Sequence, residues 1–133
     1  ENVIFTGRVD IISYMEKLDF TILTSISEGQ PLSVLESFAA RRPCVTTDVG
    51  CCRELLNGNE EDQYGTAGYC VPPMYREGLA QAMDQMCASR ARRLRMGENA
   101  QKRFNAYYRK EEMIEKYRKM YQEVEEADGR NRI

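Results

Sequence analysis

Short runs of apolar and β-branched residues alternate with amphipathic stretches of helical spacing through the first two thirds of the chain, and this alternation constrains the fold most. Repeated strand and helix builds a parallel sheet, because neighbouring strands that run the same way need a crossover between them. Four strands are predicted. Residues 3–6 close at Gly7, 20–24 at a Ser-rich turn, and 44–47 at Asp48-Val49-Gly50; 68–71 stop at Pro72-Pro73, which offers no amide to a ladder. The runs are nearly continuous in apolar or β-branched residues, as strands covered on both faces are. Helices are predicted over 11–18, 31–42, 51–56, 77–88, 90–104 and 110–126. Pro31 suits the first helical position, Leu32, Leu35 and Phe38/Ala39 share a side, and Arg41-Arg42 complement the negative end of that helix. Leu79, Ala82, Met83 and Met86 mark the face of the fourth helix, and Met113, Ile114, Tyr117, Tyr121 and Val124 a stripe on the last. The expectation is an α/β fold: a Rossmann-like parallel sheet with flanking helices and a helical C-terminal tail that frays after about residue 127.

Composition then narrows the function. At 133 residues the chain has room for one domain, and 42% hydrophobic with 30% charged residues is ordinary globular composition. With 19 Lys and Arg against 21 Asp and Glu, a net charge of −2 supplies no broad field for nucleic acid or anionic membrane, so an anionic ligand must be held locally. No apolar run approaches the ~18 residues of a bilayer span, and residues 1–5 have no signal-peptide pattern, which predicts a cytoplasmic setting. The sequence has no histidine, which excludes imidazole zinc sites, Ser-His-Asp triads and Cys-His pairs. The five cysteines contain no C-x-x-C and read as reduced thiols; Cys51-Cys52 read as packing groups at a helix start, with no metal expected. A strand at residue 3 with no helix before it predicts the middle of a doubly wound sheet, with about two βα units upstream. A truncated sheet also leaves an edge prone to self-association.

The stretch Ser27-Glu28-Gly29-Gln30-Pro31-Leu32-Ser33-Val34-Leu35-Glu36 sets two carboxylates eight residues apart across a strand-to-helix junction, at the edge where open α/β sheets bind ligands. Gly29 permits close approach, and the amides at the helix start suit a phosphate. A diphosphate there leaves Glu28 to hydroxyls on one side and Glu36 to those on the other, which suits a nucleotide sugar. The plainer alternative makes Glu28 a complement to the helix end and Glu36 a solvated acid. Likewise the basic run Arg90, Arg92, Arg93, Arg95, Lys102 and Arg103 reads as a solvated helix face, 59–63 as a polar surface loop, and Tyr69, Tyr107, Tyr108, Tyr117 and Tyr121 as core or helix-packing residues.

Taken together, the first strand, "EGQPLSVLESFAA", Pro43-Cys44-Val45, Asp48-Val49-Gly50, Glu54-Leu55-Leu56 and Gly68-Tyr69-Cys70-Val71-Pro72-Pro73 resemble the carboxyl-terminal half of a family 4 glycosyltransferase of GT-B fold. "TDVGCCREL" and the tail "MGENAQKRFNAYYRKEEMIEKYRKMY" resemble the PelF branch, associated with exopolysaccharide synthesis. The resemblance implies that residues 1–126 form a donor-binding domain. It makes Glu28 the catalytic residue, touching donor-sugar hydroxyls, and Glu36 the partner of the ribose. Gly29, Gln30, Pro31, Leu32 and Ser33 would line sugar and diphosphate, and Gly7, Arg8 and Val9 would hold the base through main chain. The implied reaction transfers a hexose from a nucleotide-diphosphate sugar, in particular a UDP-sugar, with retention. It needs no metal-dependent DxD motif, cofactor or protein nucleophile, since helix dipole and cationic groups stabilise the leaving diphosphate. A glycan acceptor would bind a missing N-terminal domain, the fragment alone would not catalyse, and peripheral membrane association stays open. Gln30-Pro31 replaces the aromatic residue and Gly of many relatives, and the Gly-Arg and Lys pair of full-length relatives is absent. Two other classes remain: a GT-B sugar-nucleotide epimerase or phosphorylase, and a non-catalytic doubly wound nucleotide-binding or interaction domain, for which Asp48 lacks a receiver's acidic cluster.

Overall fold

The computed structural model describes residues 2–130, with the side chains of residues 2–128. Its elements are α1 (Ile11–Met15), β1 (Thr21–Leu23), α2 (Leu32–Ala39), β2 (Cys44–Thr47), α3 (Cys52–Asn57), β3 (Gly68–Val71), α4 (Arg76–Ala88), α5 (Arg90–Tyr107) and α6 (Lys110–Arg130). The three strands form one parallel sheet in the order β1-β2-β3, with Thr21 opposite Cys44 and Cys44 opposite Gly68. β2 is buried at all four positions, as a central strand covered on both faces must be. Val34, Leu35 and Phe38 of α2, Leu55 and Leu56 of α3 and Ala100 of α5 fill one face against Cys44. Ala82 and Met86 of α4 fill the other with Met96, Val45 and Val71. The α/β fold with a parallel sheet and flanking helices is therefore the one expected.

Several boundaries differ from expectation. Residues 3–6 form no strand: Val3, Ile4 and Phe5 are 70–94% exposed, because apolar residues alone do not make a strand without a neighbour for their ladder. Pro31 caps α2 from outside, its ψ of 114° being extended, so the helix begins at Leu32. The helix ends at Ala39, and its core side is Val34, Leu35, Ser37 and Phe38 while Leu32 and Ala39 are exposed. Arg41 reverses the chain at φ 59° and pairs with Glu98, whereas Arg42 donates to the Met15 and Glu16 carbonyls at 2.9 and 2.7 Å. Arg42 thus serves the end of α1, not that of α2. The last helix continues through residues 127–130 in place of fraying there, and 131–133 lie outside the described residues. Tyr117 and Tyr121 do not pack: with Met113, Met120 and Val124 they are exposed, since α6 packs extensively on no other element among the described residues.

The largest departure is inside the core. Arg103, read as part of a solvated face, is fully buried, and Asp62 of the supposed surface loop is buried with it. Arg103 pairs with both Asp62 oxygens and donates to the carbonyls of Leu55 (3.2 Å), Leu56 (3.0 Å) and Gly65 (2.7 Å). The Tyr64 amide donates to Asp62 at 3.0 Å, and no buried side-chain polar atom among the described residues lacks a partner. Arg93 also leaves the solvated face, donating to the Met86 and Cys87 carbonyls at the end of α4. Removing one member of a buried pair strands the other without water. Arg103→Ala is expected to cost about 3–5 kcal/mol in urea unfolding. Burial pushes the Asp62 carboxyl up, but hydrogen bonds from Arg103 and the Tyr64 amide, with the Arg103 charge, hold it below its ordinary 3.8. The folded state therefore binds fewer protons than the unfolded one, so the pair's contribution is whole above the unfolded value and declines as pH falls through the lower folded value. Chemical unfolding between pH 7 and pH 2 should show this acid-side loss in the wild type and not in Asp62→Asn.

Candidate functional site

Because all three strands run the same way, their carboxyl ends meet at one edge, where the turn before α2, the turn before α3 and the segment before α4 emerge. The first turn carries Glu28 and is clamped by the second. Thr47 Oγ1 donates to the Ser25 carbonyl at 2.6 Å, and the Cys51 amide to the Gly29 carbonyl at 3.1 Å. Between these bonds Gly50 sits at φ 53°, and a Cβ there would fall 2.3 Å from the Glu28 carbonyl oxygen and 2.5 Å from that of Gly29. Only glycine fits so close an approach. Ser25 Oγ then donates to Glu28 Oε1 at 2.6 Å, so the half-buried carboxylate is held from its own turn.

Gly29 differs from Gly50. Its φ is not in the left-handed region, and a Cβ there would meet no atom within 4 Å. Neither packing nor backbone angle requires a glycine at 29, which leaves open space beside the start of α2. Gln30 is exposed, Pro31 is buried, and no side chain caps the helix. The exposed Leu32 and Ser33 follow; the Val34 amide turns back to the Pro31 carbonyl at 3.2 Å, and the start of the helix carries the positive end of its dipole beside this space. Open space and partial positive charge together suit a compact anion.

Glu36 lies elsewhere. It is exposed and lines a cavity of about 540 Å³ with Ile11, Ile12, Met15, Ala39 and Gln101, a cavity that Glu28 does not line. The two carboxylates therefore do not share this cavity. Gly7, Arg8 and Val9 are exposed on the approach to α1, with Gly7 at φ 64° and Asp10 capping α1 by accepting from the Ile12 amide. Their loop leads into the helix that forms one wall of the Glu36 cavity.

The thiols sit behind this edge. Burial pushes Cys44, Cys51 and Cys52 up and Cys70 up to about 11, which keeps them protonated near neutral pH. Asp48, which sequence reasoning left alone, pairs with Arg53, and this hydrogen bond lowers its carboxyl. Sequence reasoning missed the supporting residues Ser25, Thr47 and Gly50. The recurrence of hydroxyls at strand ends and the Gly before Cys51-Cys52 were the available signals.

A family model described as "Glycosyl transferases group 1" matches residues 1–103. The chain belongs to this family. Over 134 aligned residues it is 27% identical to N-acetyl-alpha-D-glucosaminyl L-malate synthase of Bacillus anthracis, covering 100% of this chain and 34% of that protein. Over 59 residues it is 42% identical to the O-antigen biosynthesis glycosyltransferase WbnH of Escherichia coli, covering 44% of this chain and 18% of that one. Among solved structures, sucrose-phosphate synthase from Thermosynechococcus elongatus superposes with a TM-score of 0.82 at 23% identity, over 93% of this chain and 30% of that one. That likeness shows the fold. The chain thus spans between 18% and 34% of the length of these curated relatives. A group 1 glycosyl transferase domain of GT-B fold, as the sequence suggested, accounts for the sheet and its helices.

The two glycines of the edge separate in their expected cost. Gly50→Ala meets two carbonyl oxygens in a left-handed conformation and should lose about 2 kcal/mol or more of stability. Gly29→Ala, entering open space, should leave the unfolding free energy in urea within about 0.5 kcal/mol of wild type.

Proposed function

We propose that this chain is the donor-binding part of a retaining hexosyltransferase of family 4 type, which transfers sugar from a nucleotide-diphosphate donor to an acceptor in polysaccharide or glycoconjugate synthesis. The observation that carries the reading is the uncapped start of α2 beside the open space at Gly29, with Glu28 held at its rim. Partial positive charge on the α2 amides favours a diphosphate, and most favours it as negative charge grows on the leaving group. Glu28 reaches hydroxyls of the donor sugar and is the catalytic residue of this chain. The nucleoside lies toward α1, its ribose against Glu36 and its base near the main chain of Gly7, Arg8 and Val9. No protein nucleophile and no metal is required of these residues.

The relatives' names support sugar transfer in glycoconjugate synthesis while differing in the sugar, N-acetylglucosaminyl in one and mannosyl in the O-antigen chain mannosyltransferase C of Escherichia coli, 25% identical over 127 residues. A UDP-sugar, a PelF-like role in exopolysaccharide synthesis and a cytoplasmic setting are parts of the proposal that rest on the sequence resemblance. The acceptor is assigned to a further domain, in keeping with the relatives' greater length.

Glu28→Ala in the full-length enzyme is expected to abolish transfer while leaving the circular dichroism spectrum unchanged. Normal turnover in that variant overturns the role. Calorimetric titration with UDP, GDP and ADP, each with and without Mg²⁺, should give binding to one nucleotide that is insensitive to the metal. A full-length chain that binds none of them favours the interaction-domain reading.

A further inference from the structure

The carboxylate of Glu28 is fixed by an arrangement that the proposed chemistry does not by itself demand. A glutamate side chain on an exposed turn samples many rotamers, and each hydrogen bond it later makes must offset that freedom. Here one of its two oxygens is already engaged, since Ser25 Oγ donates to Oε1 at 2.6 Å, the short distance of a hydroxyl bound to an anion. The donor is itself immobilised. The Ser25 carbonyl accepts from Thr47 Oγ1 at 2.6 Å, and Thr47 is buried at the end of the central strand, 6% exposed. At the other end of the turn the Cys51 amide holds the Gly29 carbonyl, and Gly50 lets the two backbones touch. The turn is thus pinned on one side of Glu28 to the end of β2 and on the other to the turn before α3, and Ser25 transmits that rigidity to the carboxylate.

We propose that Ser25 is a positioning residue for Glu28: it occupies Oε1 from within the fold and so presents Oε2 to a donor-sugar hydroxyl. In this role Ser25 acts through Glu28 and not on the substrate itself. Its effect is confined to the sugar end of the ligand, because the nucleotide diphosphate is assigned to the α2 amides and the α1 side. This inference rests on the assignment of Glu28 to the donor sugar.

The test uses the full-length enzyme and compares UDP-glucose, GDP-mannose and ADP-glucose with UDP, GDP and ADP by calorimetry. The ratio of nucleotide to nucleotide-sugar dissociation constants measures the sugar's contribution. Ser25→Ala is expected to reduce that ratio about tenfold, the order of a hydrogen bond to a charged group, while nucleotide affinity stays within about twofold and the urea midpoint does not shift. Ser25→Thr, which keeps the hydroxyl, should restore the ratio, and kcat should follow the ratio across the three proteins. Glu28→Ala separates the two readings. Loss of the ratio in Glu28→Ala with an unchanged ratio in Ser25→Ala overturns the role of Ser25 alone. An unchanged ratio in Glu28→Ala overturns the assignment of Glu28 to the sugar, and the role of Ser25 with it. A Ser25→Ala variant that loses nucleotide affinity equally shows a structural role and likewise overturns the proposal, as does a wild-type enzyme that binds no nucleotide sugar.

Discussion

Arg103 carries its charge into the protein interior, and the packing of three elements depends on how that charge is answered. Its guanidinium is shared between the Asp62 carboxylate and three carbonyls, so α5 is joined at once to the end of α3 and to the loop before β3. The Leu55 and Leu56 carbonyls come from the last turn of α3, where acceptors have no intrahelical partner, and the Leu56 carbonyl accepts from the Ala67 amide as well, at 2.7 Å. Burying an ion pair is a weak source of stability, but its breakage is costly, and the five hydrogen-bond directions of a guanidinium make the geometry hard to imitate. The loop of residues 59–63, polar in composition, is ordered for this reason. Gly58 and Asp62 are in such close contact that a Cβ on the glycine would fall 2.6 Å from the carboxylate carbon.

The fold was largely legible in the sequence because its signals are local. Cys44–Thr47 and Gly68–Val71 were readable to the residue, each a short β-branched or apolar run ended by Gly or Pro. The first strand was not, because Val3, Ile4 and Phe5 have the right composition and strand formation depends on a neighbour that composition does not report. Arg103 shows the same limit in a helix. It stands at positions i+7 and i+3 from Met96 and Ala100, both buried, so its place on the apolar face was open to inspection. What could not be read was Asp62, 41 residues away, which makes that place tolerable.

The site divides in the same way. The junction of Glu28, Gly29 and Pro31 announces itself by residue type, and the structure adds that Gly29 is not there for the fold. The clamp formed by Thr47, Gly50 and Cys51 links positions more than twenty residues apart and has no periodic signature. Glu36 was legible as an acid on a helix, but its cavity belongs to α1 as much as to α2. The eight-residue spacing suggested two jaws on one mouth, whereas the wall of the Glu36 cavity is mainly apolar and its neighbours are Ile11, Ile12 and Met15.

That separation bears on how such a domain diversifies. A molecule that touches both acids must be elongated and must straddle the beginning of α2, with its two ends in unlike surroundings. Substitutions around α1 and substitutions around Ser25 then act on opposite ends of such a molecule, and where they share no partner their effects on affinity should sum. If one ligand spans both acids, a lineage built on this scaffold can exchange one end of it while keeping the other, as a key may be recut at the tip without altering the bow.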